Sequence, residues 1–308
     1  MSLATTIRRA PPPPVPPPLA PGAAPAPGYE VLAHLDRTGW LDLYDAWSAE
    51  RDCRCVVKVL RPDRRDEPRL AGRLVREGRW LQRFTHPHLV RAYETFASPE
   101  PVVVLETLTG ETLSHLIDRL PRRASAGDVA VLGLQLCSAL HYLHGQGLLH
   151  LDLKPANVVV ECGHAKVLDL SVARPPGTAP AGAGTFGHMA PEQARGGVLS
   201  AAADVWGIGV TLYELATGRL PFDLGETADG TADGITEGTA HGSAPYWYPQ
   251  LEGAAAPVSA YRRLPAALAA AVDGCMRPDP AERPSLSELS AALDATLLRR
   301  RRDTPGAA

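Results

Sequence analysis

Hydrophobic periodicity changes once along this chain, near residue 112, and that change limits the folds open to it. Upstream, apolar residues fall in short alternating or β-branched runs: YEVLAHL from Tyr29, CVVKVL at 55–60 and PVVVLETL at 101–108. Runs of this kind read as strands. One segment among them, RLAGRLVREGRWLQRF at 69–84, sets Leu70, Leu74, Leu81 and Phe84 at helical spacing and reads as an amphipathic helix. Downstream the long segments are helical: VAVLGLQLCSALHYLHGQG at 129–147, closed at Gly145 or Gly147, DVWGIGVTLYELATG at 204–218, LPAALAAAVDGCM at 264–276 and LSELSAALDATLLRR at 286–300. Two short β-type runs, NVVVE (157–161) and AKVLDL (165–170), interrupt them. Strands and one helix first, then mostly helices, give an α+β class.

Composition narrows the function classes. With 308 residues, 45% of them hydrophobic, the chain can build one large core or two small ones. A net charge of −3 gives no reason to expect charge-driven binding of nucleic acid. Cys53, Cys55, Cys137, Cys162 and Cys275 have no regular spacing, which argues against a disulfide framework. Cys53 and Cys55 form a candidate metal pair, but no second pair follows at zinc-site spacing, so alternation in or near a strand is the better reading. The start, MSLATTIRRA, runs into prolines without the apolar stretch of a secretory signal. No apolar run reaches the roughly 18 residues of a membrane span, so a cytoplasmic protein without a membrane partner is expected.

Residues 1–28 are rich in Pro and Ala and read as an extended, mobile tail, either a spacer or a ligand for a Pro-binding module. Residues 223–244 hold the repeat TADG-TADG (227–234) and read as a flexible surface insert. Its Thr227, Thr231, Thr236 and Thr239 are expected autophosphorylation sites if any occurs. RRRR at 299–302 continues the last helix as a solvated end, and 299–308 is a basic C-terminal tail.

The chemistry-bearing motifs lie in one order. Lys58 stands in CVVK, and Glu77 lies on the next helix with Leu81 one turn later on the same face. HLDLKPAN follows at 150–157, DLS at 169–171, GTFGHMAPE at 184–192, Asp204 at the start of a helix, and Arg283 in DPAERPS. Asp152, Lys154 and Asn157 together can serve a hydroxyl, a phosphate and a metal ion. Taken singly, Lys58 reads as a solvated strand lysine, Glu77 as a surface helix charge, and the Asp and Asn residues as turn formers. Their joint order favours one site.

In that order the motifs resemble the eukaryotic-like serine/threonine protein kinases of bacteria, from about Tyr29 to about Leu298. The resemblance implies a two-lobed fold with a small β-rich lobe (about 29–108), a larger helical lobe (about 109–298) and ATP between them. It implies that Lys58 holds the α- and β-phosphates and Glu77 fixes Lys58 by an ion pair. Asp152 would orient the substrate hydroxyl and accept its proton, and Lys154 would neutralise charge on the γ-phosphate. Asn157 and Asp169 would hold Mg²⁺, with Mn²⁺ as the alternative. Leu43, Val56 and Val159 would enclose the adenine, Leu105 would be the gatekeeper, and Glu106 and Leu108 would offer main-chain groups to the base. Glu192 and Arg283 would anchor the activation segment, Asp204 would tether the catalytic loop, Thr185 would contact it, and His150 would be a packed structural residue. The implied activity is transfer of the ATP γ-phosphate to protein Ser/Thr hydroxyls.

The chain departs from that family at four places. The glycine-rich pattern falls on Asp36, Thr38 and Leu41, with Gly39 nearby. Side chains there should lift the loop off the phosphates and weaken ATP binding. The usual alanine of the third strand is Val56, which crowds the adenine position. DFG has become DLS, so Ser171 stiffens the turn after Asp169. The Arg that normally precedes Asp152 is Leu151, which cannot pair with a phosphorylated activation loop, so activity independent of that modification is expected. A pseudokinase scaffold with weak or no turnover remains the alternative, with a small-molecule phosphotransferase behind it.

Overall fold

The computed structural model describes residues 15–222 and 248–303. Residues 1–14, the expected insert at 223–244 with its threonines, and residues 304–308 lie outside the described residues. Strands β1 (Tyr29–Arg37), β2 (Leu41–Ser48), β3 (Cys53–Leu60), β4 (Ala92–Phe96) and β5 (Val102–Glu106) form an antiparallel sheet in the order β1-β2-β3-β5-β4. Around β3 the sheet is buried on both faces, while most of β1 is exposed. Cys55, Val57 and Val59 point to one hydrophobic cluster with Tyr29, Val31, Tyr44, Val102 and Val104. Leu60 faces the other way, into the large core that holds Leu74, Leu81, Val103 and Leu105, and partly buried Val56 packs against that core. This is why CVVKVL reads as a continuous apolar run rather than an alternating one. Cys53 and Cys55 alternate within β3, and no described group of three or more His, Cys, Asp or Glu could hold a metal ion.

The outer face is covered by the Pro/Ala-rich segment, which corrects the expectation of a free tail for its described part. Leu19 and Ala23 pack on the outer cluster, and Ala26 is buried. The Leu19 N–H donates to the Tyr44 hydroxyl at 2.8 Å, and Gly22 and Ala23 exchange main-chain bonds with Val31. An exposed β-branched sheet face needs a cover, and the apolar Ala and Leu side chains between the prolines supply it.

Helix α1 (Pro68–Arg83) packs against β4 and β5. Its buried stripe contains two charged residues, Arg73 and Glu77, beside Leu74, Gly78 and Leu81. Gly78 sets the depth of the helix: a Cβ there would stand 2.4 Å from Thr95 Oγ1 and 2.6 Å from a Val103 methyl.

The second lobe is mainly helical. It contains α2 (Leu113–Arg119), α3 (Ala126–Gly145), α4 (Pro191–Arg195), α5 (Ala201–Thr217), α6 (Ala266–Cys275) and α7 (Leu286–Asp303). Strands β6 (Glu111–Thr112), β7 (Val158–Glu161) and β8 (His164–Val167) form a small sheet, and β9 (Gly177–Ala179) pairs with β10 (Gly197–Leu199). Helix α3 starts with a reciprocal Ser125–Asp128 capping box and packs against α5 and α7. Its length and composition would suffice to cross a membrane, with a mean hydropathy of 1.2, which corrects the expectation that no apolar run is long enough. More than half of that window is buried within the fold, as befits a central core helix.

Candidate active site

A cavity of about 420 Å³ lies between the lobes. Leu43, Val56, Lys58, Glu106, Leu108, Asp152, Lys154, Asn157, Val159 and Asp169 all line it. Glu77 is not on its wall but reaches it through Lys58, whose Nζ donates to Glu77 Oε1 at 2.8 Å. Alternation along β3 sends Lys58 and Val56 to the same face, and the buried stripe of α1 presents Glu77 to that face. Glu77 is fully buried, and its Oε2 has no hydrogen-bond partner among the described residues. Burial raises the Glu77 carboxyl against the opposing Lys58 charge. Burial also opposes the Lys58 ammonium, but Asp169 and Glu77 more than offset it and hold the group up at about 12. Asp169 Oδ1 stands 4.0 Å from Lys58 Nζ. Burial would raise the Asp169 carboxyl, yet the Lys58 charge, bonds from Ser171 and the Arg73 charge bring it well below the usual carboxylate range.

The catalytic loop is held from beneath by Asp204 in the first turn of α5. Its Oδ2 accepts the His150 N–H at 2.9 Å and its Oδ1 accepts the Leu151 N–H at 2.7 Å. His150 is fully buried and satisfied: Nδ1 accepts from the Asp152 N–H at 3.2 Å, and Nε2 bonds the Leu168 carbonyl at 3.0 Å. Asp152 then sits in a compact polar cluster. The Thr185 hydroxyl donates to Asp152 Oδ1 at 2.6 Å and accepts from Lys154 Nζ at 2.7 Å. Asn157 Nδ2 donates to Asp152 Oδ2 at 3.1 Å and to the Asp152 carbonyl at 2.9 Å. Sequence reasoning recognised Thr185 only as a neighbour of the catalytic loop; that its hydroxyl bridges the acid and the lysine depends on the fold.

Leu151 answers the loss of the family arginine. It has φ 68° and is buried in the main core. The activation segment is fastened by other means. Arg174 and Leu149 exchange main-chain bonds, and β9 pairs Gly177, Thr178 and Ala179 with Leu199, Val198 and Gly197. Gln193, buried in α4, donates from Nε2 to the carbonyls of Leu151 and Ala183 and accepts the Ala190 N–H at Oε1. Gly184 has φ 135°, and a Cβ there would stand 2.9 Å from the Leu151 carbonyl oxygen. Arg283 grips Glu192 through both nitrogens, at 2.7 and 2.8 Å, and lies over the Trp206 ring. Sequence reasoning found Glu192, Arg283 and Asp204 but missed Gln193, because a buried amide leaves no signal until its partners are known.

The loop between β1 and β2 is closed tightly. Leu41 N–H bonds Thr38 Oγ1 at 3.1 Å, and Arg61 Nη1 donates to the Thr38 carbonyl at 3.1 Å. Asp36 accepts the Arg37 N–H, and Arg37 forms a two-point pair with Asp42 at 2.6 and 2.9 Å. Trp40 turns inward, is 6% exposed, and joins the cavity wall. Of the three side chains at glycine positions, Thr38 braces the turn and Leu41 is buried beside Trp40.

The donor set suits a hard divalent cation. Asp169 is anionic, and Asn157 uses its amide nitrogen on Asp152, which leaves its oxygen as the ligating atom. One carboxylate and one amide oxygen make a poor cage alone but a fitting pair when nucleotide phosphates complete the shell.

Comparison with known proteins agrees with this geometry. The protein kinase domain family matches residues 40–293. A probable serine/threonine-protein kinase of Streptomyces coelicolor is 33% identical over 211 residues, covering 63% of this chain and 31% of that protein. Serine/threonine-protein kinase PknB of Mycobacterium leprae is 35% identical over 182 residues, covering 54% of this chain and 29% of that protein. The chain thus spans about a third of the length of these relatives. The crystal structure of the Mycobacterium tuberculosis PknI kinase domain superposes with a TM-score of 0.67 at 24% identity, covering 91% of this chain and 100% of that one. The fold is two-lobed, with the cavity and its polar cluster between the lobes. The chain belongs to the protein kinase family, and the relatives it resembles are bacterial serine/threonine-protein kinases. Members of that family use ATP and a divalent metal ion.

Proposed function

We propose that this protein transfers the γ-phosphate of Mg²⁺-bound ATP to Ser/Thr hydroxyls of a protein substrate, without needing a phosphorylated activation segment. The observation that carries this reading is the closed Lys58–Glu77 pair at 2.8 Å on the same cavity as the Asp152–Thr185–Lys154 cluster. Lys58, fixed by Glu77, receives the α- and β-phosphates. Leu43, Val56 and Val159 enclose the base, and main-chain groups of Glu106 and Leu108 meet its edge. Asp152 orients the incoming hydroxyl and accepts its proton, while Thr185 and Asn157 hold the carboxylate in place. Lys154 offsets charge on the transferred phosphoryl group. The metal ion, held by Asp169 and Asn157, supplies charge neutralisation at the phosphates. The β9–β10 ladder and the Gln193 bonds support independence from phosphorylation, since they order the segment with neutral groups.

Transfer of labelled phosphate from ATP to the protein itself and to a basic protein tests this, with Asp152→Asn as control. Transfer by the wild type and by Thr178→Ala, and none by Asp152→Asn, is expected. A pseudokinase scaffold is the second reading, supported by the inward Trp40 and the loss of loop glycines. A folded wild type without turnover at millimolar ATP, with Mg²⁺ or Mn²⁺, would establish it instead.

A further inference from the structure

Arg73 lies one helical turn before Glu77 on the buried stripe of α1 and is 7% exposed. Its Nε donates to the Ser171 carbonyl at 2.7 Å and its Nη2 to the Ser171 hydroxyl at 3.1 Å. Its guanidinium carbon lies 4.9 Å from the centre of the Trp40 ring. Ser171 in turn donates its N–H to Asp169 Oδ1 at 2.9 Å, and Asp169 holds φ 58°. Arg73, Trp40, Ser171 and Asp169 all line the nucleotide cavity.

One departure from the family pattern, Ser171 in place of glycine, lies here beside Trp40 of the β1–β2 loop. A glycine at 171 would offer Arg73 only a carbonyl; Ser171 adds a hydroxyl, so the planar guanidinium is held at two points. A small residue at 40 would leave the guanidinium face bare; Trp40 covers it and ties the β1–β2 loop to α1. Asp169 holds a left-handed backbone conformation that non-glycine residues adopt at a cost, and the Ser171 N–H bond to its carboxylate supports it.

We propose that Arg73 is a positioning residue, and that the Trp40–Arg73–Ser171 contact fixes Asp169 and the β1–β2 loop together for binding of metal-bound nucleotide. This rests on the nucleotide-binding part of the function proposed above and adds the means by which a loop without its glycines is held in register with the metal ligand. It does not depend on turnover.

The test is calorimetric binding of a non-hydrolysable ATP analogue, with and without Mg²⁺, beside thermal melting of the free protein. In the wild type Mg²⁺ strengthens binding. Ser171→Gly and Arg73→Met are expected to weaken Mg²⁺-dependent binding by about tenfold or more, the effect of one hydrogen bond to a charged group. Binding without Mg²⁺ changes little, and Ser171→Thr, which keeps the hydroxyl, restores the wild-type value. Arg73→Lys does not, because one ammonium cannot serve both Ser171 oxygens and the indole face. A purely structural role for Arg73 would lower the melting temperature and weaken both binding modes alike, which would overturn the proposal. So would variants that bind the Mg²⁺-bound analogue as the wild type does. A wild type that binds and responds as expected yet transfers no phosphate would sink the kinase reading alone. A folded wild type that binds no nucleotide would sink both.

Discussion

Gln193 gives the sharpest test of how the activation segment is held to the catalytic loop. Its side chain is 2% exposed and serves three main-chain groups: the Leu151 and Ala183 carbonyls through Nε2 and the Ala190 N–H through Oε1. The first joins the catalytic loop to the activation segment directly. Replacing Gln193 by Leu removes both donors and leaves two buried carbonyls without them, each costing about 1–3 kcal/mol, or about 2–6 kcal/mol together. Gln193→Glu keeps the shape but turns a carboxylate oxygen toward the same two carbonyls, and should cost at least as much. At about 2–4 °C per kcal/mol for a chain of this size, the melting temperature should fall by at least about 4 °C. Where the cost falls on the ordered segment alone, about 2.8 kcal/mol lowers its population about a hundredfold. Phosphate transfer should then drop further than global stability, while nucleotide-analogue binding, which rests on Lys58 and Asp169, is largely kept. Thermal melts, analogue binding and labelled transfer on the same preparations decide the matter. A Gln193→Leu protein that melts within a degree of the wild type and transfers phosphate at the same rate would refute the assignment.

Other perturbations follow from the same geometry. Gly78→Ala places a Cβ against Thr95 and Val103 and should cost about 1–3 kcal/mol by overpacking. By pushing α1 and Glu77 off the sheet it should also weaken nucleotide binding, which calorimetry reads. Arg283→Ala strands the mostly buried Glu192 carboxylate and should cost about 3–5 kcal/mol in a denaturant melt, with Glu192→Gln milder because the amide oxygen can still accept from Arg283, whose guanidinium also bonds the Arg277, Ala202 and Pro278 carbonyls. Lys58 is held up at about 12, above its ordinary 10.5, so its contribution is complete below about pH 10.5 and is lost as pH rises through 12. The affinity difference between the wild type and Lys58→Met for an ATP analogue should therefore stay flat from pH 7 to 10, and a decline centred near pH 8 would contradict the pairing.

The local order of the chain was legible where one physical signal ruled. Helix α1 was expected over 69–84 and occupies Pro68–Arg83, because its apolar spacing is unbroken. The run 204–218 ends as read, with Gly218 at φ 68° closing α5. Strand β2 was not legible, because LDLYDAWS places Asp42 and Asp45 among its buried positions. Those acids are tolerated only through Arg37, His34 and Arg54, partners that the fold brings in. The described part of the Pro/Ala segment, from residue 15, was misread for the same reason: its composition has little to bury until a sheet face lies beneath it.

Sequence alone determined the α+β class, the family and the set of polar residues that meet at the cavity, since residue type and spacing along strands and helices are local properties. Tertiary structure decided how those residues are held. The Thr185 bridge spans 33 positions, the Gln193 bond to Leu151 spans 42, and the Arg73 bonds to Ser171 span 98. Contacts at such separations leave no periodic trace in a single chain. They exist because packing α1, α4 and the catalytic loop into one core brings donors and acceptors within 3 Å, where burial makes leaving any of them unpaired costly.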